Sequence, residues 1–318
     1  LSQQPLPDVS SDWFRASEAA GDLMDIPYGR VPKGSTDVEW HIVSHCDCDG
    51  IGGFARLLRE RGVEITKLPE TKSPCRGILS PLWKLWRNRE TDAACALRSD
   101  WLPDPPTDQT NPENIAWHLF TKDETQAILD NCRKKQVTIN SYLLHGLDRS
   151  VRPEIRSPGK KITWVVPVNL RGDIRHADDT QNQVSCVEVK IAADDSTQAV
   201  HHQILQRLQR GEHRANFLLL ILGGILNHAA KVSFLKKDRA KPAGNIGSFS
   251  NLGIWKFDEK TNDTDGWLFC PPIVTGQRLG AGCVTFNGRL GIATQGNSPS
   301  ERMRRWVEKI QSLTHAGW

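Results

Sequence analysis

Residues 44–53 read SHCDCDGIGG, a histidine, two alternating cysteines and two aspartates running into glycine. A metal site, a redox pair and a catalytic loop all use such residues, so the flanks decide. VEWHIVSHC (38–46) alternates polar and apolar residues with β-branched members, which predicts a strand. IGGFARLLRERG (51–62) places Ile51, Phe54, Leu57 and Leu58 at helical spacing. The motif therefore sits at a strand-to-helix junction, where Gly50, Gly52 and Gly53 permit a tight turn or a close approach. Cys46 and Cys48 form C-x-C, without the two-residue spacer of common zinc and redox knuckles, and no second close Cys/His pair stands at ligand spacing. No metal is expected.

The whole chain has 318 residues, long enough for two lobes sharing a sizeable core. Its composition, 38% hydrophobic and 25% charged, is that of an ordinary soluble enzyme or binding protein. A formal charge of +4 leaves no nucleic-acid footprint. The apolar run NFLLLILGGILNHAA (216–230) has an uninterrupted core well short of the roughly 20 residues of a membrane span, so a buried helix is expected and no membrane crossing. A cytoplasmic location is the default, although a chain opening on Leu1 leaves room for a missing N-terminal piece. Eight scattered cysteines do not make the disulfide framework of a small secreted domain, and most read as buried thiols.

Outward from the motif, residues 63–115 are rich in Pro, Thr, Asp and Trp; they read as a short helix around 79–89 and a linker including LPDPPTDQTNP (102–112). Beyond it, residues 121–151 predict two helices. Thr121 caps the first, with Glu124 at the capping-box position, and TIN (138–140) starts the second. KITWVVPVNLR (161–171) and NQVSCVEVKI (182–191) predict strands, and STQAVHHQILQRLQRGEH (196–213) an amphipathic helix. GNIGSFSNLGIWKF, RLGAGCVTFNG and RLGIATQG add strands and turns before a last helix in ERMRRWVEKIQSLT. Strands alternating with helices in two rounds indicate an α/β architecture with two lobes, 1–115 and 116–318.

His45-Cys-Asp-Cys-Asp49-Gly50 is also an H-x-x-x-D-G string at a strand end. With VTINSYLLHGL, VVPVNLRGD, NQVSCVEV and SFSNLG (248–253) following in order, the chain resembles the chloramphenicol acetyltransferase-like superfamily. That group includes peptide-synthetase condensation domains, polyketide-associated acyltransferases, wax ester synthases and alcohol acetyltransferases. VPVNLR and SNLG are most similar to the members that acylate alcohols, and the resemblance spans roughly residues 36–300. It implies a two-lobed α/β fold, with mixed sheets flanked by helices and an inter-lobe channel reached from both mouths. Ser44 stands where the family often has a first histidine, and Asp47 puts a carboxylate at a position usually small or apolar. Relatives are longer at the N-terminus, which implies that part of the acceptor side lies outside this chain.

The implied activity is acyl transfer from a thioester, with His45 as general base; an imidazole of ordinary pKa about 6.5 takes and returns a proton near neutrality. By resemblance Asp49 pairs with Arg171 and, with Gly50, fixes the loop rather than joining a triad. Ser250 and Asn251 are candidates for holding the oxyanion, and S-N-L-G also makes a sound turn. Lys236, Lys237 and Arg239, in the cationic run that also holds Lys231 and Lys241, are candidates for the phosphates of coenzyme A or an acidic carrier protein. Trp117, Trp164 and Trp255 lie near the motifs and would suit an apolar acceptor channel or the core. No bound cofactor is expected; acyl-coenzyme A or acyl-phosphopantetheine would be a co-substrate, an alcohol or amine the acceptor, and an acyl carrier protein a possible partner. An amide-forming condensation-type domain, a silent binding or scaffold member of the same fold, and a metal protein built on H-C-D-C remain the alternatives.

Overall fold

A computed structural model describes residues 9–71, 95–102, 115–174, 176–240, 244–257, 265–273, 277–296 and 299–315. The expected helix around 79–89, nearly all of the 102–112 linker and Lys241 lie outside the described residues. The elements run α1 (Val9–Ala19), β1 (Asp25–Val31), β2 (Glu39–Ser44), α2 (Gly50–Glu60), β3 (Ile115–Leu119), α3 (Lys122–Lys134) and α4 (Ile139–Val151). They continue with β4 (Ile162–Asn169), β5 (Val184–Ile191), α5 (Thr197–Arg210), α6 (Glu212–Gly223) and α7 (His228–Arg239). The chain then forms β6 (Gly247–Trp255), β7 (Gly266–Phe269), β8 (Leu279–Phe286), β9 (Arg289–Gly296) and α8 (Pro299–His315).

Two sheets organise the α/β fold. The larger is mixed, in the order β3-β9-β8-β6-β4-β5, with β6 parallel to both β4 and β8 and antiparallel pairs elsewhere. The smaller is antiparallel, in the order β2-β1-β7. Because β7 pairs with β1, this small sheet draws on residues from both sides of the 115/116 boundary.

Each sheet carries its own core. Helices α4 and α8 pack together over the large sheet, burying Tyr142, Leu144, Trp164, Phe249 and Trp306. The Trp164 indole donates to Asp148 Oδ1 at 3.0 Å, and Asp148 also accepts from Arg152 at 2.7 Å, so this core contains a satisfied buried ion pair. Beside the small sheet, Phe54 from α2 meets Trp255 and Trp267 edge to face, with centroids 5.0 and 5.2 Å away. A side chain as deeply buried as Phe54 contributes about 1.5–3 kcal/mol.

The local signals work as their chemistry requires. Thr121 caps α3 and its capping box with Glu124 is closed in both directions. Thr138 caps α4, and Ser196 caps α5, which ends on a left-handed Gly211.

The apolar run 216–230 departs from the expected buried helix. It is split into α6 and the start of α7 by a turn that begins at Gly224, and Leu219, Leu222, Ile225 and Leu226 are exposed, Ile225 to 91%. Gly223, the last residue of α6, leaves the space into which Trp13 of α1 packs, 2.5 Å from where a Cβ would stand. Among the described residues no helix is long and apolar enough to cross a membrane.

Candidate active site

The loop between β2 and α2 presents His45 and anchors Asp49 by separate sets of contacts. The His45 amide donates to Met24 O at 2.7 Å, and its carbonyl accepts from Asn182 Nδ2 at 2.9 Å. Nδ1 of the ring lies 3.0 Å from Cys48 O. A carbonyl only accepts, so Nδ1 carries the proton and the neutral ring keeps its lone pair on Nε2. Phe14 of α1 stacks on the imidazole, with centroids 4.1 Å apart. Burial pushes the His45 pKa below 6.5, opposed by the Cys48 carbonyl and the Asp49 charge, so the ring is neutral at pH 7.

Asp49 is the N-cap of α2. Oδ1 accepts from Gly52 N at 2.8 Å, while Oδ2 accepts from Arg171 Nη1 and Gln183 N, each at 2.8 Å. Both charged side chains are buried, at 5% exposure for Arg171 and 4% for Asp49. The rest of the guanidinium donates to Asp179 O at 3.1 Å and Gln181 O at 3.0 Å. The carboxylate is thus committed to the scaffold, which joins the loop to the connection between β4 and β5. Gly52 permits that join, because a Cβ there would run into the backbone carbonyl of Thr180.

A cavity of about 390 Å³ opens between the two sheets. His45, Gly50, Met24, Ile26 and Phe269 line it from the small-sheet side, and Val165, Pro167, Ser248 and Ser250 from the large sheet. Phe14 of α1 and Leu220 of α6 close a third wall. Its lining is mainly apolar with a few polar groups, the character of a site for a small organic molecule. His45, Asp49, Gly50 and Ser250 all border it. A cleft of about 40 Å³ beside it is lined by Asp49, Arg171, Ser250 and Asn251.

Other predicted residues fall elsewhere. Asn251 spends its side-chain oxygen on Gly253 N at 2.8 Å, shaping a bulge whose Gly253 has φ 85°, and it borders only the small cleft. Asp47 points outward, 59% exposed, toward Arg15 at 3.6 Å, so its carboxylate does not crowd His45.

Arg239 is not free to bind a donor: it is tied to Asp22 and, at 3.0 Å, to Ser17, which pins α7 to the α1–β1 segment. Lys231 is likewise buried in an ion pair with Asp12, whereas Lys236 and Lys237 are exposed. The three tryptophans do not line the cavity. Trp164 and Trp255 are core residues, and Trp117 borders a separate hollow of about 500 Å³ between β3 and α8. That hollow is larger, but it shares no lining residue with the His45 cavity, and its Arg304 is engaged by Glu301 and Glu308.

Burial raises the Cys46 thiol pKa and pushes Cys48 to about 12, so neither is a thiolate at neutral pH. Among the described residues no three His, Cys, Asp or Glu side chains are grouped to hold a metal ion.

Solved structures share this fold. Polyketide synthase associated protein 5 from Mycobacterium tuberculosis matches with a TM-score of 0.54 at 14% identity, over 86% of this chain and 73% of its own. The wax ester synthase/diacylglycerol acyltransferase of Marinobacter aquaeolei VT8 matches at 0.53 and 12% identity, over 98% and 78%. The trichothecene 15-O-acetyltransferase of Fusarium sporotrichioides gives 0.51 at 14%, over 98% and 75%. The chain has the two-lobed chloramphenicol acetyltransferase-like fold. No protein-family model and no curated protein matches its sequence.

Within the chloramphenicol acetyltransferase-like fold seen here, three residues at the site stood outside the sequence assignments. Phe14 stacks on the histidine from 31 positions upstream, in a segment without a recognisable motif. Asn182 ties the His45 carbonyl to Ser11 of α1, and Ser248 lines the cavity one alternation before Ser250. The last two lie in NQVSCVEV and SFSNLG, so strand alternation from Ser250 was the one available signal for Ser248.

Proposed function

We propose that this chain is an acyltransferase that moves an acyl group from a thioester, on coenzyme A or a carrier-protein phosphopantetheine, to a hydroxyl acceptor, with His45 as general base. The observation that carries the reading is the fixed tautomer: Nδ1–H is spent on Cys48 O, and the ring that keeps a basic Nε2 lines a mainly apolar cavity. The acyltransferase neighbours add support through the fold they share.

In the proposed reaction Nε2 takes the proton of the acceptor hydroxyl as its oxygen attacks the thioester carbon. The tetrahedral oxyanion is held by the Ser250 hydroxyl. Collapse breaks the C–S bond, and the imidazolium returns its proton to the leaving sulfur, so no covalent enzyme intermediate is needed. Asp49 takes no part in this proton transfer, since its two oxygens are filled by Gly52, Arg171 and Gln183. It positions the loop. Lys236 and Lys237, exposed in the last turn of α7, are the cations proposed to meet donor phosphates or an acidic carrier.

The hydroxyl acceptor is preferred to an amine because VPVNLR and SNLG most resemble the alcohol-acylating members. Thiol release from a panel of acyl-coenzyme A donors with pooled alcohols and amines, followed by product mass spectrometry, tests the reading. Ester formation that depends on added alcohol is the expected result. Silence with coenzyme A and with carrier-bound donors alike would refute acyl transfer and leave a non-catalytic binding module of this fold.

A further inference from the structure

The His45 cavity contains a hydroxyl for which the reaction above has no use. Ser248 and Ser250 lie two residues apart on β6, so they share a face, about 6 to 7 Å from each other along the strand. The intervening Phe249 points the other way, edge-on to Trp306 at 6.1 Å between centroids. Both serines line the cavity.

Ser248 is 6% exposed, and its Oγ is buried without a hydrogen-bond partner. Ser185, Asn216, Gln277, Asn245 and Ser17 on the same wall have partners. Ser185 Oγ donates to His213 O at 2.6 Å, Asn216 Nδ2 donates to Cys186 O at 2.9 Å, and Gln277 donates to the Asn245 side chain. Ser17 accepts from Arg239. A buried hydroxyl without a partner is unfavourable, and because Ser248 lines the cavity the missing partner is one that a polar group lodged there would supply. Around it the wall is apolar, with Val165, Leu220, Pro271 and Pro272.

We infer that Ser248 binds a second oxygen of the acceptor. The substrate class is then a compact, largely apolar alcohol that carries, besides the hydroxyl that is acylated, another hydroxyl or a carbonyl. The inference rests on the acyl-transfer reading only for which of the two oxygens reacts. A site built around one hydrogen-bonding group discriminates against the analogue that lacks its partner, because that group is then buried unpaired. The amide carbonyls of a pantetheine arm offer the same chemistry, so the experiment separates donor from acceptor.

The test is calorimetric binding of two matched probes, decahydro-2-naphthol and decahydronaphthalene-2,6-diol, with coenzyme A as a third, to the parent, Ser248→Ala and Ser248→Thr. The diol is expected to bind the parent about tenfold tighter than the mono-ol. That advantage falls to within about twofold in Ser248→Ala and returns in Ser248→Thr, while mono-ol and coenzyme A affinities stay unchanged. Equal binding of the two probes by the parent overturns the inference, as does absence of diol binding up to its solubility. Weakened coenzyme A binding in Ser248→Ala with the diol unaffected overturns it too, and gives the hydroxyl to the donor. Binding needs no turnover, so diol discrimination in a protein that releases no thiol would refute acyl transfer alone.

Discussion

The β2–α2 loop and the start of β6 face the same cavity and are built on opposite terms. At the loop, Asp49 receives hydrogen bonds from Gly52, Arg171 and Gln183, and His45 is held through its backbone, Nδ1 and a stacked phenyl ring. At β6, Ser248 has a buried hydroxyl with no partner. The difference separates positioning from recognition. A loop anchored through a filled carboxylate and its backbone fixes a geometry, whereas a buried hydroxyl left unpaired by the protein is one a ligand can complete.

The largest expected effect falls on the filled end. Replacing Asp49 or Arg171 by Ala strands the other charge in the interior, and each change should cost about 3–5 kcal/mol in denaturant unfolding. A well-folded Asp49→Ala protein with near-parental activity would break the contrast by making the ion pair dispensable. Ser250→Ala should leave stability nearly intact and lower the turnover rate on the order of 10²-fold, by removing an oxyanion donor; unchanged turnover would move that role elsewhere.

Gly52→Ala should destabilise by about 1–3 kcal/mol, since the new methyl meets the Thr180 carbonyl and the loop junction must shift. An unfolding midpoint equal to the parent's would show the junction to be looser than its contacts imply. The smallest effect is that of pH. Burial lowers the His45 pKa, so the neutral base persists below pH 6.5, and kcat/KM should fall tenfold per pH unit only beneath an inflection under 6.5. An inflection above 6.5 would mean that the imidazolium is stabilised, contrary to the desolvated site.

The periodic elements were legible because their signals are local. Thr121 with Glu124, Thr138 and Ser196 mark helix starts, whereas the stretch 196–213, read as one helix, is broken at the left-handed Gly211. The strand-to-helix junction at the motif was equally plain. Sequence spacing gives no reason to join Asp49 to Arg171, 122 residues away; that pair was named by the family resemblance alone.

Less legible were features set by which surface a residue meets. The run 216–230 is apolar on nearly all sides, so its composition could not tell that α6 turns only part of its circumference toward the protein. Arg239 and Lys231 read as solvent cations, yet Asp22 and Asp12, more than 200 positions upstream, claim them. Strand β7 is four residues long and finds its partner β1 across most of the chain, a pairing beyond the reach of periodicity.

The most direct test of the central claim is thiol release by His45→Ala, read beside its unfolding midpoint. Because the loop is held by Asp49 and by backbone contacts rather than by the imidazole alone, the variant should unfold close to the parent's midpoint. Its acceptor-dependent rate should fall by about two or more orders of magnitude. Near-parental release, or a loss matched by an equal loss of folded protein, would contradict the assignment of His45 as the base.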